Sequence, residues 1–355
     1  MKYILILLSL GTLFLTSCIK DEPLYREADI VSFTIKSDDY ISSSMTEDRV
    51  QLVLSAADKT NLIPEIEVSP GATISPASGV AQDFTNDVVY TVVSEDGNYS
   101  KRYTVSVTSR MGFKYDFENW TEEGAYWKYP AMSDPAWKSA NQGVMTAKAG
   151  NVTEYPTRST IDAYRGKYAA LLETQVGGNF FVVGYVPVFS GSLFRGDFKL
   201  QMSNPAKSPL FGQIHPKEDG KPLKMTGYYK YTPGEKLINK QGEVAGQMDE
   251  CSIYAVLYKV TKGAEGQKEY LDGTNILTSD KVVATAILED RTAKKEYTKF
   301  ELPFIYKGDI DYSQNDYKLA IVFASSKNGD FYEGAVGSTL IVDEVEVECE
   351  SFDEN

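Results

Sequence analysis

An alternation of apolar and polar residues, with a period of two, recurs in short runs through most of this chain. No stretch shows a convincing amphipathic helical period over three turns. That restricts the chain to β-structure, because side chains on a strand point to opposite faces in turn. In the first hundred residues the runs are Val31/Phe33/Ile35, Val50/Leu52/Leu54, Ile66/Val68 and Tyr103/Val105/Val107. Asp96-Gly97 separates Val88–Val93 from Lys101–Val107 and marks a tight hairpin turn. Pro64, Pro70 and Pro76 confine their neighbours to edges and turns. Beyond Gly112 the expected strands are Phe113–Phe117, Ala169–Glu173, Phe180–Val188, Lys224–Tyr231, Ser252–Val260, Lys281–Leu288, Lys299–Tyr306, Lys318–Ala324 and Thr339–Val347. Many strands, long polar loops and no strand–helix alternation predict an antiparallel jelly-roll sandwich.

At 355 residues the chain is long for one domain, and two are expected. Ser109-Arg110-Met111-Gly112 is the natural boundary, which gives a first domain over 28–110 and a second over 111–355. The net charge of −14 excludes nucleic acid as a partner, since that needs a basic field. A single histidine, His215, beside Pro216, reads as a loop residue, and one histidine rules out a multi-histidine zinc site. No G-x-S-x-G elbow is present.

The N-terminus reads as an export signal over 1–17: Lys2 precedes an apolar run from Ile4 to Leu15, too short to span a bilayer. The following Leu15-Thr16-Ser17-Cys18 resembles the bacterial lipobox, which implies acylation of Cys18 and an outer-membrane lipoprotein. Lys20-Asp21-Glu22, in a tether over 18–27, resembles a surface-export signal of some Gram-negative phyla and implies display at the cell surface. The first domain resembles the short Ig-like modules of surface lipoproteins in glycan-use systems, on Gly71–Gly79 and the Tyr-Thr-Val-Ser-Val run Tyr103–Val107. The resemblance implies a spacer.

The second block carries five ordered motifs. They are Asp116-Phe117-Glu118-Asn119-Trp120, Trp137-Lys138-Ser139-Ala140-Asn141, Gly191–Phe198, Gly227-Tyr228-Tyr229-Lys230-Tyr231 and Gly337–Val345. Together they resemble the putative carbohydrate metabolism domain, over about Met111 to Cys349. That implies a jelly-roll similar to carbohydrate-binding modules. An early Asp-Phe-Glu and a late Val-Asp-Glu-Val resemble the ends that share a structural calcium in related sugar-binding sandwiches, which makes Glu118 and Asp343 its candidate ligands.

The stretch Phe113–Asn141 holds all three tryptophans, Trp120, Trp127 and Trp137. Flat rings cover the apolar face of a pyranose while amides and carboxylates take its hydroxyl rim. Trp127, Tyr129, Trp137 and Asn141 supply both chemistries, and Tyr229 extends them if its strand lies nearby; the rival reading is core packing. Tyr228, Tyr229 and Tyr231 cannot all face one way. Trp120, directly after a strand, reads as packing. Glycoside hydrolysis needs a pair of carboxylates that sequence cannot pick out. Cys251 and Cys349 are open to a disulfide or to two buried thiols. The expectation is therefore a surface lipoprotein that captures polysaccharide beside a glycan-uptake complex. The alternatives are a glycoside hydrolase, or an adhesin or structural subunit without a sugar site.

Overall fold

The computed structural model describes residues 24–37, 39–54, 58–181 and 184–350. The export signal, Cys18 and the Lys20-Asp21-Glu22 stretch lie outside the described residues. The chain is all-β and divides into two units, the first running to Val107 and the second from Thr108.

The first unit is the small Ig-like sandwich. Ile30–Ile35 pairs antiparallel with Pro64–Val68, and Val88–Val93 lies between Thr73–Ser75 and the strand that starts at Ser100. The Asp96-Gly97 turn falls where the sequence places it, with Gly97 at φ 72°, a conformation glycine adopts without a Cβ clash. The alternating residues Phe33, Leu52, Val92 and Val105 are buried with Phe84 and Tyr90, whose ring meets Phe33 edge-on at 5.3 Å.

The second unit is the jelly-roll, built of two antiparallel sheets. One runs in the order Trp137–Ser139, Ser192–Phe198, Asn315–Ala324, Ser252–Thr261, Val282–Ile287, Ile305–Tyr306. The other is organised on Thr339–Glu350. One edge of that strand pairs with Ala169–Glu173 and then with residues up to Tyr115; the other edge pairs with Lys221–Thr232. Lys221–Thr232 in turn pairs with Lys294–Pro303.

The main core lies between the sheets. Ile253, Ala255, Leu257, Ile321 and Phe323 meet Met225, Tyr229, Tyr231, Val342 and Val347 there. Cys251 and Cys349 are in the same cluster, both buried as free thiols. The strand Ser252–Thr261 shows little polar alternation because both of its faces are covered. Tyr254, Val256 and Tyr258 point away from the main core into a second apolar layer, roofed by Phe211, Leu271 and Ile276 from long loops.

Two expectations need correction. Phe180–Val188 is not one strand but the end of one and most of another: Gln175–Phe180 and Gly184–Phe189 form a hairpin. Gly184 at φ 72° opens the returning strand, and the glycine-rich Gln175–Phe180 has too few side chains to show a period. The chain also contains a short helix, Asn141–Ala147, with Gly143 near its start. Seven residues are too few to display a helical period, so the segment reads as loop in sequence.

Candidate functional site

The aromatic segment is mostly turned inward. Trp137 is 2% exposed. Its indole meets Tyr115 and Phe117 edge-on at 5.1 and 5.5 Å and stacks over Phe323 at 6.0 Å. Tyr229 is equally buried, packs on Phe300 and donates its hydroxyl to the Asp290 carbonyl at 3.2 Å. Asn141 is buried at the start of the helix. Its amide donates to the Pro130 and Thr157 carbonyls (3.0 and 2.7 Å), and its Oδ1 accepts the Thr157 N–H at 3.2 Å. The sugar-contact assignment of Trp137, Asn141 and Tyr229 is therefore corrected: they hold the sandwich together. Burying an indole stabilises the fold more than leaving it wet, and every polar group of Asn141 is used on backbone. Trp120 packs against the core as expected, with Nε1–H donating to the Phe117 carbonyl at 2.7 Å.

Tyr129 and Trp127 differ from those three. They belong to the hairpin Trp120–Glu123/Tyr129–Met132. Tyr129 is nearly buried, and its hydroxyl donates to Glu123 at 3.2 Å. Glu123 also takes Lys138 Nζ at 2.8 Å. Trp127 is half-exposed, and one side of its indole lies on Gly150, where an added Cβ would come within 2.4 Å of the ring.

Glu118 and Asp343 do serve one structural feature, the loop 161–168. Glu118 Oε1 accepts the N–H groups of Lys167 (2.6 Å) and Tyr168 (3.1 Å). Asp343 Oδ2 accepts those of Tyr164 (2.7 Å) and Arg165 (3.0 Å), and Oδ1 accepts that of Glu344 (2.8 Å). Glu118 Oε1 and Asp343 Oδ2 each already take two amide protons, which leaves these two carboxylates too few oxygens to supply a calcium ion's six to eight ligands. Among the described residues, no cluster of three or more His, Cys, Asp or Glu side chains is arranged to hold a metal.

The site that sequence reading missed lies beside the helix Asn141–Ala147. There the outer face of the first sheet is left partly unroofed and forms a groove whose empty space, open solvent included, is roughly 990 Å³. Phe194, Tyr254 and Val322 rise from the sheet as its floor. Phe189, Phe198, Phe211 and Tyr332 wall it, and Gly143, Val144 and Ala147 close it from the helix. Ser190, Ser252 and Ser326 bring hydroxyls to the lining.

Asp330 is the one acidic residue among the described lining residues. It sits in the turn Gly329–Phe331, which ends on Tyr332 in the left-handed conformation (φ 61°). Burial, and the like charge of Asp272, push its carboxyl up to about 6. No hydrogen bond or cation from the described residues offsets either effect.

A second acid shows the contrast. Asp249 is buried where the turn is anchored. It accepts Ser326 Oγ (2.5 Å), Ser338 Oγ (2.7 Å) and the N–H groups of Ala335 (2.7 Å) and Glu250 (2.9 Å). Ser326 further bonds Thr174 Oγ1 at 2.6 Å, and Thr174 bonds Ser325 at 2.7 Å. This network fixes the segment on which Asp330 is carried. Sequence gave little sign of it, since Ser325–Tyr332 has no periodicity and Asp330 is one of 50 acids. The available signal was an acid flanked by Gly329, Phe331 and Tyr332, six residues after the end of a mostly buried strand, Asn315–Ala324.

Fold and cavity define a two-unit β-sandwich protein with a concave, aromatic-walled site in its larger unit. The chain belongs to the putative carbohydrate metabolism domain family, which residues 116–348 match. Residues 30–107 match the SGBP N-terminal family. Two solved structures are similar, each described as a putative glycoside hydrolase. The one from Bacteroides thetaiotaomicron is 33% identical, with 92% of this chain and 98% of that one covered and a TM-score of 0.58. The one from Bacteroides vulgatus is 29% identical, covering 67% and 97%, with a TM-score of 0.56. Among curated proteins, none matches.

Proposed function

We propose that this is an exported, surface-held glycan-binding protein whose jelly-roll unit captures a sugar residue in the cavity beside the helix Asn141–Ala147. The observation that carries the reading is the cavity's composition: aromatic rings for the apolar face of a sugar, and the Ser252 hydroxyl with one carboxylate, unpartnered among the described residues, for its hydroxyls. An ionised carboxylate accepts two such hydroxyls at once. The family memberships support carbohydrate as the ligand class, and the SGBP N-terminal match supports a secreted or surface setting. Acylation at Cys18 and association with uptake machinery belong to the same proposal. Trp127, half-exposed at its hairpin tip, remains available as an outer contact for a longer chain.

Binding is favoured over hydrolysis by one count. Cleavage uses two carboxylates about 5–10 Å apart across the sugar. The described lining of this cavity supplies Asp330 alone.

The test is affinity electrophoresis of the full chain in a panel of polysaccharide gels, with reducing ends assayed in parallel. Retardation without new reducing ends supports capture, and release of reducing ends would establish a hydrolase. Phe198→Ala should abolish retardation and Asp330→Asn should weaken it, neither unfolding the protein. Unchanged mobility of both variants would remove the cavity from the proposal.

A further inference from the structure

Resting on the glycan reading, the geometry points to an amino sugar, a pyranose carrying a free ammonium group, as the residue the cavity selects. The argument begins with what surrounds Asp330. Its carboxyl is recessed beside Tyr254, which has no hydrogen-bond partner of its own for its hydroxyl among the described residues. The charged group whose field reaches Asp330 is Asp272, of the same sign.

None of the nearby cations is paired with Asp330 among the described residues, although two sit on rings of the cavity wall, Lys148 on Phe189 and Lys240 on Tyr332 at 5.1 Å from its centroid. Lys327 lines the mouth, but its Nζ is on Glu250 at 3.2 Å. Lys148 lies over the Phe189 ring, 5.5 Å from its centroid. A carboxylate set in a wall of aromatic rings, with no cation of its own, is the arrangement that an ammonium ligand completes. The acid neutralises the charge, and the ring faces attract it through their quadrupoles. Ser252 then remains for a sugar hydroxyl, while Ser190 Oγ already accepts the Ser326 N–H at 3.1 Å.

A neutral sugar would also hydrogen-bond to Asp330 but would leave its charge uncompensated. An anionic one, such as a uronate or a sulfated ring, would add a third negative charge beside Asp330 and Asp272. The order of preference is therefore amine over hydroxyl or acetamide, and either of those over carboxylate.

Three pairs of probes separate the amine from the rest of the sugar: glucose with glucosamine, galactose with galactosamine, and mannose with mannosamine. Glucuronate and N-acetylglucosamine complete the set. Each is titrated into the full chain by calorimetry at pH 7 in 150 mM salt. At least one amino sugar is expected to bind tenfold or more tightly than its neutral partner, with glucuronate weakest.

In Asp330→Asn that ratio should fall to about one. Glu301→Gln, which changes a surface acid on the other sheet and outside the cavity lining, should keep it and so exclude general attraction to an acidic protein. Equal binding of amine and neutral forms, a preference that survives Asp330→Asn, or no binding by any amino sugar would each overturn the inference. None of these results touches the glycan reading, which stands or falls on the polysaccharide gels.

Discussion

The stretch Phe113–Asn141 and the turn Ser325–Tyr332 make opposite use of the same kinds of residue. The first is rich in rings and amides, yet Trp137 is buried among other rings and Asn141 has its side-chain polar atoms taken up by the fold. The second is short and unremarkable in composition, yet it brings Asp330 to a cavity wall without a partner among the described residues. Residue type shows what chemistry a side chain can do. What it is free to do depends on whether the fold has already used it, and that is a matter of tertiary contacts.

The largest effect expected from this contrast is at Trp137. Trp137→Ala removes a buried indole from between Phe117 and Phe323 and should cost about 3–5 kcal/mol in denaturant unfolding. The folded fraction should still bind glycan. If stability were untouched and binding lost, the inward role given to this ring would be wrong.

The buried Asp249 and the partly buried Asp330 come next, and they should respond with opposite signs. Asp249→Ala leaves two serine hydroxyls and two backbone N–H groups without their acceptor, and should destabilise by about 2–4 kcal/mol. Asp330→Asn removes a charge that the fold does not compensate, and should raise stability at pH 7 by up to about 3 kcal/mol.

The sign with pH follows from the raised carboxyl. The folded protein holds the Asp330 proton more tightly than the unfolded chain, so the wild type has no handicap at this site below about pH 4. The handicap develops between there and about pH 6, where the folded carboxyl ionises, and is complete above. Wild type and Asp330→Asn should therefore converge in stability as pH falls through that window, while sugar binding by the wild type weakens. A stability difference that stayed constant from pH 4 to pH 7 would break the assignment.

Much of the fold was legible in sequence. Ala169–Glu173 appears as expected, and the alternating runs become the buried faces of both units. Strands were misjudged where alternation is silent. Lys294–Pro303 begins with the polar residues Lys294, Lys295 and Glu296, and the hairpin at Gly184 hides inside one apolar run. The convergence of Glu118 and Asp343 on one loop was legible from their places at the two ends of the jelly-roll. Their use as acceptors for that loop's amides was not, because the loop's own sequence, Ile161–Tyr168, carries no sign of where its N–H groups point. The cavity was illegible for a related reason. Its floor comes from Phe194, Tyr254 and Val322, which read as ordinary strand residues until it is known that loops only partly cover them.

The smallest effects concern the same contrast at its edges. Because Glu118 and Asp343 already accept five backbone N–H groups between them, a chelator should leave the thermal midpoint within about 1 °C of its value. A fall of several degrees, restored by calcium, would mean that a cation displaces those amides. Trp127→Ala should cost under about 1 kcal/mol, since half of the side chain is already in water and its main contact is the backbone at Gly150. Its informative readout is length dependence. If Trp127 is an outer contact, the variant should bind single sugars as the wild type does and lose affinity only for polysaccharide. Loss at both lengths would mean that Trp127 shapes the cavity itself. Loss at neither would leave Asp330 and the rings around it as the whole of the site.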